Sequence, residues 1–292
     1  MPGSTPRSPF SARELDAYAQ TLWWGLTTAR TSPFATDDLV LIRYDMAALP
    51  LAERLFGLLL DKGLNPVQRL NLTSPMERSF YNRGDLSQIT HVPAGDRELF
   101  ENLNGLISLI APASLTHLAG SDPKKIGAAA VARKFLRDIM ERREQSGDFG
   151  WTLCAWPTAG LARAAGLTKA AYAEQIRRAC FLDREDPVAA WRTVHAAARE
   201  IKAWLNSLDI RRLHVHSANT RLSLSPGRDR RWLGISGHNI PSFEVFLSPD
   251  MRATEGVYFA DQPSYRSGNL VRGVRLVFRE GRVVEAAAER GE

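Results

Sequence analysis

Apolar residues recur along this chain with two different periods, and the change from one to the other separates two kinds of architecture. Ser11 and Glu14 make a capping-box pair ahead of Leu15, Tyr18, Leu22 and Trp23, a spacing that predicts a helix. Asp38–Tyr44 reads as a buried strand, Leu51–Lys62 as a helix closed by Gly63, and Val67–Leu72 as a second strand. Gly105–Ala111 and Asp148–Trp156 offer two further apolar runs of strand length. Asp122 and Asp186 each precede a proline, an N-cap acid with proline in the first helical turn, so a helix is expected after each. The second of these carries Val188, Trp191, Val194, Ala198, Ile201, Leu205 and Leu208 on one stripe, expected to pack against the sheet.

From Ile210 onward the runs shorten. Leu213–His216, Arg221–Leu224, Gly256–Phe259, Leu270–Phe278 and Arg282–Ala286 read as strands, with Gly268, Gly273 and Gly281 as punctuation. The expected fold class is therefore α/β: an N-terminal α/β domain with a central sheet over 11–208, then over 209–292 the β-rich first portion of a second, α+β domain. Residues 1–10 are expected to be disordered.

Composition narrows the function classes. The 292 residues, 44% hydrophobic, suffice for two domains with a sizeable core. No apolar run approaches the ~18 residues of a membrane helix, and the opening Met1–Pro9 lacks the apolar stretch of a secretory signal. A cytoplasmic protein without a membrane partner is expected. Cys154 and Cys180 lie in apolar segments and read as reduced core thiols. The net charge of +6 is spread over short clusters such as Arg177-Arg178, Arg211-Arg212 and Arg228-Asp229-Arg230-Arg231. Clusters this short, interrupted by acids, are solvated faces, so no nucleic-acid partner is expected. The tryptophans, including Trp23, Trp24, Trp151 and Trp156, read as core.

Candidate chemistry concentrates in Asn239-Ile240-Pro241-Ser242-Phe243-Glu244-Val245-Phe246-Leu247-Ser248-Pro249. Read as a strand, it puts Phe243, Val245 and Leu247 on one face and Glu244, Phe246 and Ser248 on the other. A carboxylate sharing a face with an aromatic ring is partly desolvated and calls for a compensating partner, of which a metal ion is one. The plain alternative is a solvated strand glutamate. His214 and His216 point to one face of a strand, and with His238 and Glu244 nearby in sequence they suggest a mononuclear site; isolated strand histidines are also common packing or surface residues. His-Glu-x-x-His, nucleophile-elbow, Walker and dinucleotide fingerprints are absent, and Gly234-Ile235-Ser236-Gly237-His238 has the wrong spacing for the elbow.

The Asn239-x-Pro241-x-x-Glu244-Val245-Phe246 run resembles the first metal-binding motif of the M29 aminopeptidases, the thermophilic metalloprotease family. Asp183–Trp191, Gly120–Pro123, Glu255-Gly256-Val257 and Arg279–Glu285 resemble other segments of that family, so the similarity extends from about residue 12 onward. The resemblance implies removal of amino-terminal residues from peptides by a centre of two divalent ions, zinc or cobalt, with Glu244 as a metal ligand, in a homodimer acting on peptide substrates. Family members continue past the position of Glu292, and that part carries a second glutamate, two histidines, a tyrosine and an aspartate of the centre. No catalytic residue is therefore assigned within the chain itself, which is expected to be a truncated form, inactive alone. Ser242-Phe243 also departs from the polar pair, at times including an acid, of many relatives. Two alternatives stand beside this: a short paralogue that binds peptide or a partner without catalysis, and another metal-dependent reaction using His214, His216 and Glu244.

Overall fold

The computed structural model describes residues 8–291. Helix α1 (Ala12–Ala29) opens through the capping box the sequence spells out, the Ser11 hydroxyl accepting from the Glu14 N–H while the Glu14 carboxylate accepts from the Ser11 N–H. Its buried face is Leu15, Tyr18, Leu22 and Leu26. Strand β1 (Leu39–Tyr44) leads through a short 3₁₀ turn into α2 (Leu49–Asp61), and β2 (Asn65–Leu70) follows. Gly63 between them takes a left-handed φ of 73°, which stops the helix where an L side chain would be strained. Three short helices, α3 (Ser74–Arg83), α4 (Leu86–Thr90) and α5 (Asp96–Asn102), precede β3 (Gly105–Ile110). Then come α6 (Pro123–Ala132), α7 (Lys134–Ser146), β4 (Gly150–Ala155), α8 (Ala159–Ala164), α9 (Lys169–Ala179) and α10 (Pro187–Ser207). Asp122 caps α6 as its sequence pattern implies, its carboxylate accepting from the Lys124 N–H at 2.8 Å.

Contacts divide the described chain into two units that interleave in sequence, where one cut at residue 209 was expected. The first comprises the residues through Ser114, Gly120–Val194 and Ser236–Ser242; the second comprises Leu115–Ala119, His195–Ile235 and Phe243 onward. The interleaving has a structural cause. Strand β8 (Asn239–Ile240), far along the chain, joins the first unit's sheet beside β4, giving a five-stranded order β2-β1-β3-β4-β8 with every pairing parallel. Both faces of β1 are buried, Val40, Ile42 and Tyr44 on one side and Leu41 on the other, which accounts for the near-continuous apolar run. On the Leu41 face, Leu106, Phe100, Leu103, Leu136, Ile139 and Phe149 close one core.

The second unit holds a five-stranded antiparallel sheet, β14-β13-β10-β6-β5, built from β5 (Leu213–His216), β6 (Arg221–Ser225), β10 (Asp250–Ala260), β13 (Val274–Arg279) and β14 (Arg282–Ala287). Two small ladders accompany it: β7 (Leu233–Gly234) with β9 (Val245–Phe246), and β11 (Ser264–Arg266) with β12 (Asn269–Val271). Register sorts its faces. Leu213, Val215, Leu222, Leu224, Tyr258, Leu276 and Phe278 fall on one, and His214, His216, Arg221, Ser223 and Arg275 on the other.

The α/β fold class and the β-rich second part are thus those the sequence implies, while several details differ. The strand expected over Leu270–Phe278 is two, β12 and β13, because Gly273 between them turns at φ 62°. Of the stripe expected on α10, Trp191 and Ala198 are buried and Ile201 is exposed, while Leu208 falls beyond the helix end at Ser207. Trp24, Trp156 and Trp191 are core; Trp204, 61% exposed, is not. The disorder expected over 1–10 falls outside the described residues for 1–7, but Phe10 is buried edge-on against Tyr18 and Trp156. Helices α3, α4, α5, α7, α8 and α9 lie between the expected elements.

Glu14 also binds α1 to α9 through the Arg177 guanidinium, which Glu174 meets as well. Burial pushes the Glu14 carboxyl upward, but the Ser11 N–H and Arg177 outweigh it and hold the carboxyl below its ordinary range. A depressed folded value stabilises above the unfolded carboxylate range and is lost as pH falls through the folded value. Glu14→Gln should therefore cost about 1 kcal/mol or more at neutral pH, and the gap to wild type should close on acidification. Urea midpoints across an acid series check this; a gap that stays constant contradicts it.

Candidate functional site

The segment that carries the candidate chemistry is held at two places by close backbone approach. In the first unit, the Gly237 carbonyl accepts from the Thr152 hydroxyl at 2.7 Å and the His238 carbonyl from the Leu153 N–H at 2.7 Å, which seats β8 against β4. A Cβ on Gly237 would overlap the Gly25 carbonyl of α1, and its φ of 87° is left-handed, so glycine is required there. In the second unit, β7 pairs with β9 so tightly that a Cβ on Gly234 would overlap the Glu244 carbonyl. Lys202 of α10 donates to the Gly234 carbonyl at 2.7 Å and fixes β7 in turn. Burial and then Arg199 hold the Lys202 ammonium below its ordinary range.

Glu244 is thus placed by its backbone. Its side chain is exposed, it precedes the two-residue β9, and among the described residues its carboxylate accepts no hydrogen bond. The extended strand and the desolvated carboxylate expected from alternation are not found: β9 is too short to bring Glu244 onto a packed face with Phe246, itself 43% exposed. His214 and His216 share the polar face of β5, exposed, with ring centroids 6.5 Å apart, and face Ser223 and Arg221 across the ladder. His238 lies in the first unit. Its ring nitrogens meet Ser236 and Glu144, and Trp151 lies 4.3 Å from its centroid. Glu144 is a partner that sequence reasoning missed, since no local spacing links α7 to a residue beyond α10.

Among the described residues no three His, Cys, Asp or Glu side chains converge as a metal-binding set. A two-ion centre draws several protein donors for each ion. One exposed glutamate does not meet that requirement, so the residues present do not fit the dinuclear centre on their own. No described helix is long and apolar enough to cross a membrane.

One unit carries a parallel α/β sheet and the other an antiparallel β-rich sheet, and comparison with known proteins assigns the chain to a family. Residues 11–292 match the family described as thermophilic metalloprotease (M29), and the chain belongs to that family. It is 32% identical over 192 residues to aminopeptidase T of Thermus thermophilus, covering 60% of this chain and 47% of that protein. It is 27% identical over 242 residues to aminopeptidase PepS of Streptococcus thermophilus, covering 74% of this chain and 57% of that one. With aminopeptidase AmpS of Bacillus subtilis it shares 29% identity over 213 residues, 68% of this chain and 52% of that one. The chain spans about half the length of these curated relatives. A solved structure of wild-type AmpT from Thermus thermophilus superposes with a TM-score of 0.76 at 22% identity, over 96% of this chain and 72% of that chain, a likeness of fold.

Thiol chemistry finds no support. Cys154 and Cys180 are free and buried; burial pushes the Cys154 thiol up to about 12 and the Cys180 thiol higher still. At about pH 8, near the ordinary thiol range, a disulfide reagent should label neither cysteine in the folded chain and both in urea. Fast labelling of the native chain would show that the Tyr18 core opens.

Proposed function

We propose that this chain is the scaffold of a metal-dependent aminopeptidase that removes amino-terminal residues from peptides, with Glu244 as one ligand of a centre of two divalent ions, zinc or cobalt. The observation that carries this reading is the Asn239-x-Pro241-x-x-Glu244-Val245-Phe246 run inside a family match over 11–292, with its glutamate presented to solvent. The relatives' printed names, all aminopeptidases, support it. In this reading residues 209–292 form part of the catalytic domain, the protein works in the cytoplasm, and two copies associate as a homodimer. The remaining donors of the centre lie outside the described residues, so chain 1–292 alone neither fixes two ions nor turns over substrate.

Two measurements test this. The purified 292-residue chain, loaded with zinc or cobalt, should show no hydrolysis of leucyl-p-nitroanilide; chelator-sensitive turnover would mean that the ligands are elsewhere, with His214 and His216 the first to examine. A chimera joining this chain to the part of aminopeptidase T that the match leaves uncovered should hydrolyse the same substrate. In it, Glu244→Gln keeps the shape but replaces an ionised ligand with a neutral amide, so metal content and kcat/KM should both fall by orders of magnitude at an unchanged unfolding midpoint. Full metal and full rate in the Gln variant would overturn the assignment. A folded chimera that binds peptide without turnover would favour the non-catalytic scaffold.

A further inference from the structure

Ser236, His238 and Glu144 form one continuous chain of side-chain hydrogen bonds within the first unit. Glu144 Oε1 lies 2.9 Å from His238 Nε2, and His238 Nδ1 lies 2.7 Å from Ser236 Oγ. A carboxylate only accepts, so the hydrogen of the neutral imidazole sits on Nε2. Nδ1 then carries the lone pair, and the serine hydroxyl donates into it. The ring has little freedom to leave this arrangement, because the Trp151 indole lies 4.3 Å from its centroid and its own carbonyl is tied to the Leu153 N–H.

The hydroxyl is also presented outward. Ser236 is exposed between buried Ile235 and Gly237, and both neighbours are left-handed, at φ 47° and 87°. A β-branched residue at positive φ is strained and persists only where its surroundings enforce it, a feature that concentrates at functional turns. A nucleophile within hydrogen-bond reach of a base, and that base oriented by a third group, is the arrangement that activates a hydroxyl. Which nitrogen faces the serine differs from the protease triad, but the roles depend on geometry rather than on nitrogen name.

We propose that Ser236 is an activated nucleophile toward acyl groups carried on activated esters, with His238 as its base and Glu144 as the positioning residue that sets the tautomer. In the step, a bond forms between Ser236 Oγ and the acyl carbon while the bond from that carbon to the leaving phenolate breaks. The hydroxyl proton passes to His238 Nδ1 and from there to the phenolate or to solvent. No oxidant and no metal enters, so this inference stands apart from the Glu244 reading.

The probe is p-nitrophenyl acetate, added to the purified wild-type chain in the presence of a chelator, with acetylated serines mapped by mass spectrometry. Ser207 and Ser248, both exposed, are internal controls. Ser236 should be acetylated about 100-fold faster than either, the size of a general-base contribution, and His238→Gln should remove that advantage. Glu144→Gln should lower the rate and, in a ¹⁵N spectrum of His238, replace the Nε2–H tautomer with a mixture, a change that a purely structural role would not produce. Acetylation of Ser236 no faster than of Ser207 and Ser248 overturns the proposal, and so does an undiminished rate in folded His238→Gln. Should that variant not fold, the serine comparison still decides, since it needs wild type alone.

Discussion

The open edge of β4 is the constraint on which much of this structure depends. A strand in the middle of a buried parallel sheet carries N–H and C=O groups that find no water, and each must meet a partner. On one side β3 supplies them. On the other, Gly237–Ile240 does, through the His238 carbonyl and the parallel pairing of Leu153 and Cys154 with Asn239 and Ile240. The fit leaves no room for a side chain where α1 crosses the segment, since Gly25 and Gly237 touch backbone to backbone. So short a strand pairing would be weak by itself, and Ile240, 2% exposed, adds the apolar burial that holds it.

That pairing also explains why the chain divides as it does. Residues 236–242 belong to the first unit while the residues on both sides belong to the second. The β7–β9 ladder brackets this excursion, pairing Leu233 with Phe246 and Gly234 with Val245. A segment anchored at both ends in this way has a defined backbone without being a long regular element. It is a suitable support for side chains that must be presented, because the backbone hydrogen bonds rather than the side chains hold it in place.

What was legible in the sequence follows from which forces leave a periodic trace. Strands β1 and β3 lie within a residue of where continuous apolar runs place them, because burial on both faces excludes polar residues, whereas β2, nowhere fully buried and carrying Gln68 and Arg69, is offset by two residues. The capping box of α1 and the Asp122 cap of α6 were legible for a local reason: cap and N–H lie within a few residues of each other. Helix α3 buries no residue and so leaves little apolar stripe to read, whereas α7 does carry one, in Phe135, Leu136, Ile139 and Met140 at helical spacing. A two-residue strand such as β8 leaves no period at all; only a partner more than eighty residues away makes it a strand. The same holds for the site. Glu244 could be singled out because the residues around it resemble a known motif, whereas its exposure depends on how short β9 is. The contact of His238 with Glu144 spans 94 residues and has no sequence correlate.

The contrast between these two groups bears on how folding and chemistry are coupled. An exposed carboxylate keeps its hydration, so Glu244 imposes no desolvation cost that a metal would have to relieve for the fold to form. Metal binding at Glu244, in the proposed function, then adds to a backbone already fixed by Gly234 and Lys202 rather than creating it. His238 is the opposite case. Its ring is partly buried, and both nitrogens and one face are engaged within the folded chain. Its arrangement is therefore a product of folding itself, and so is the direction in which the Ser236 hydroxyl points.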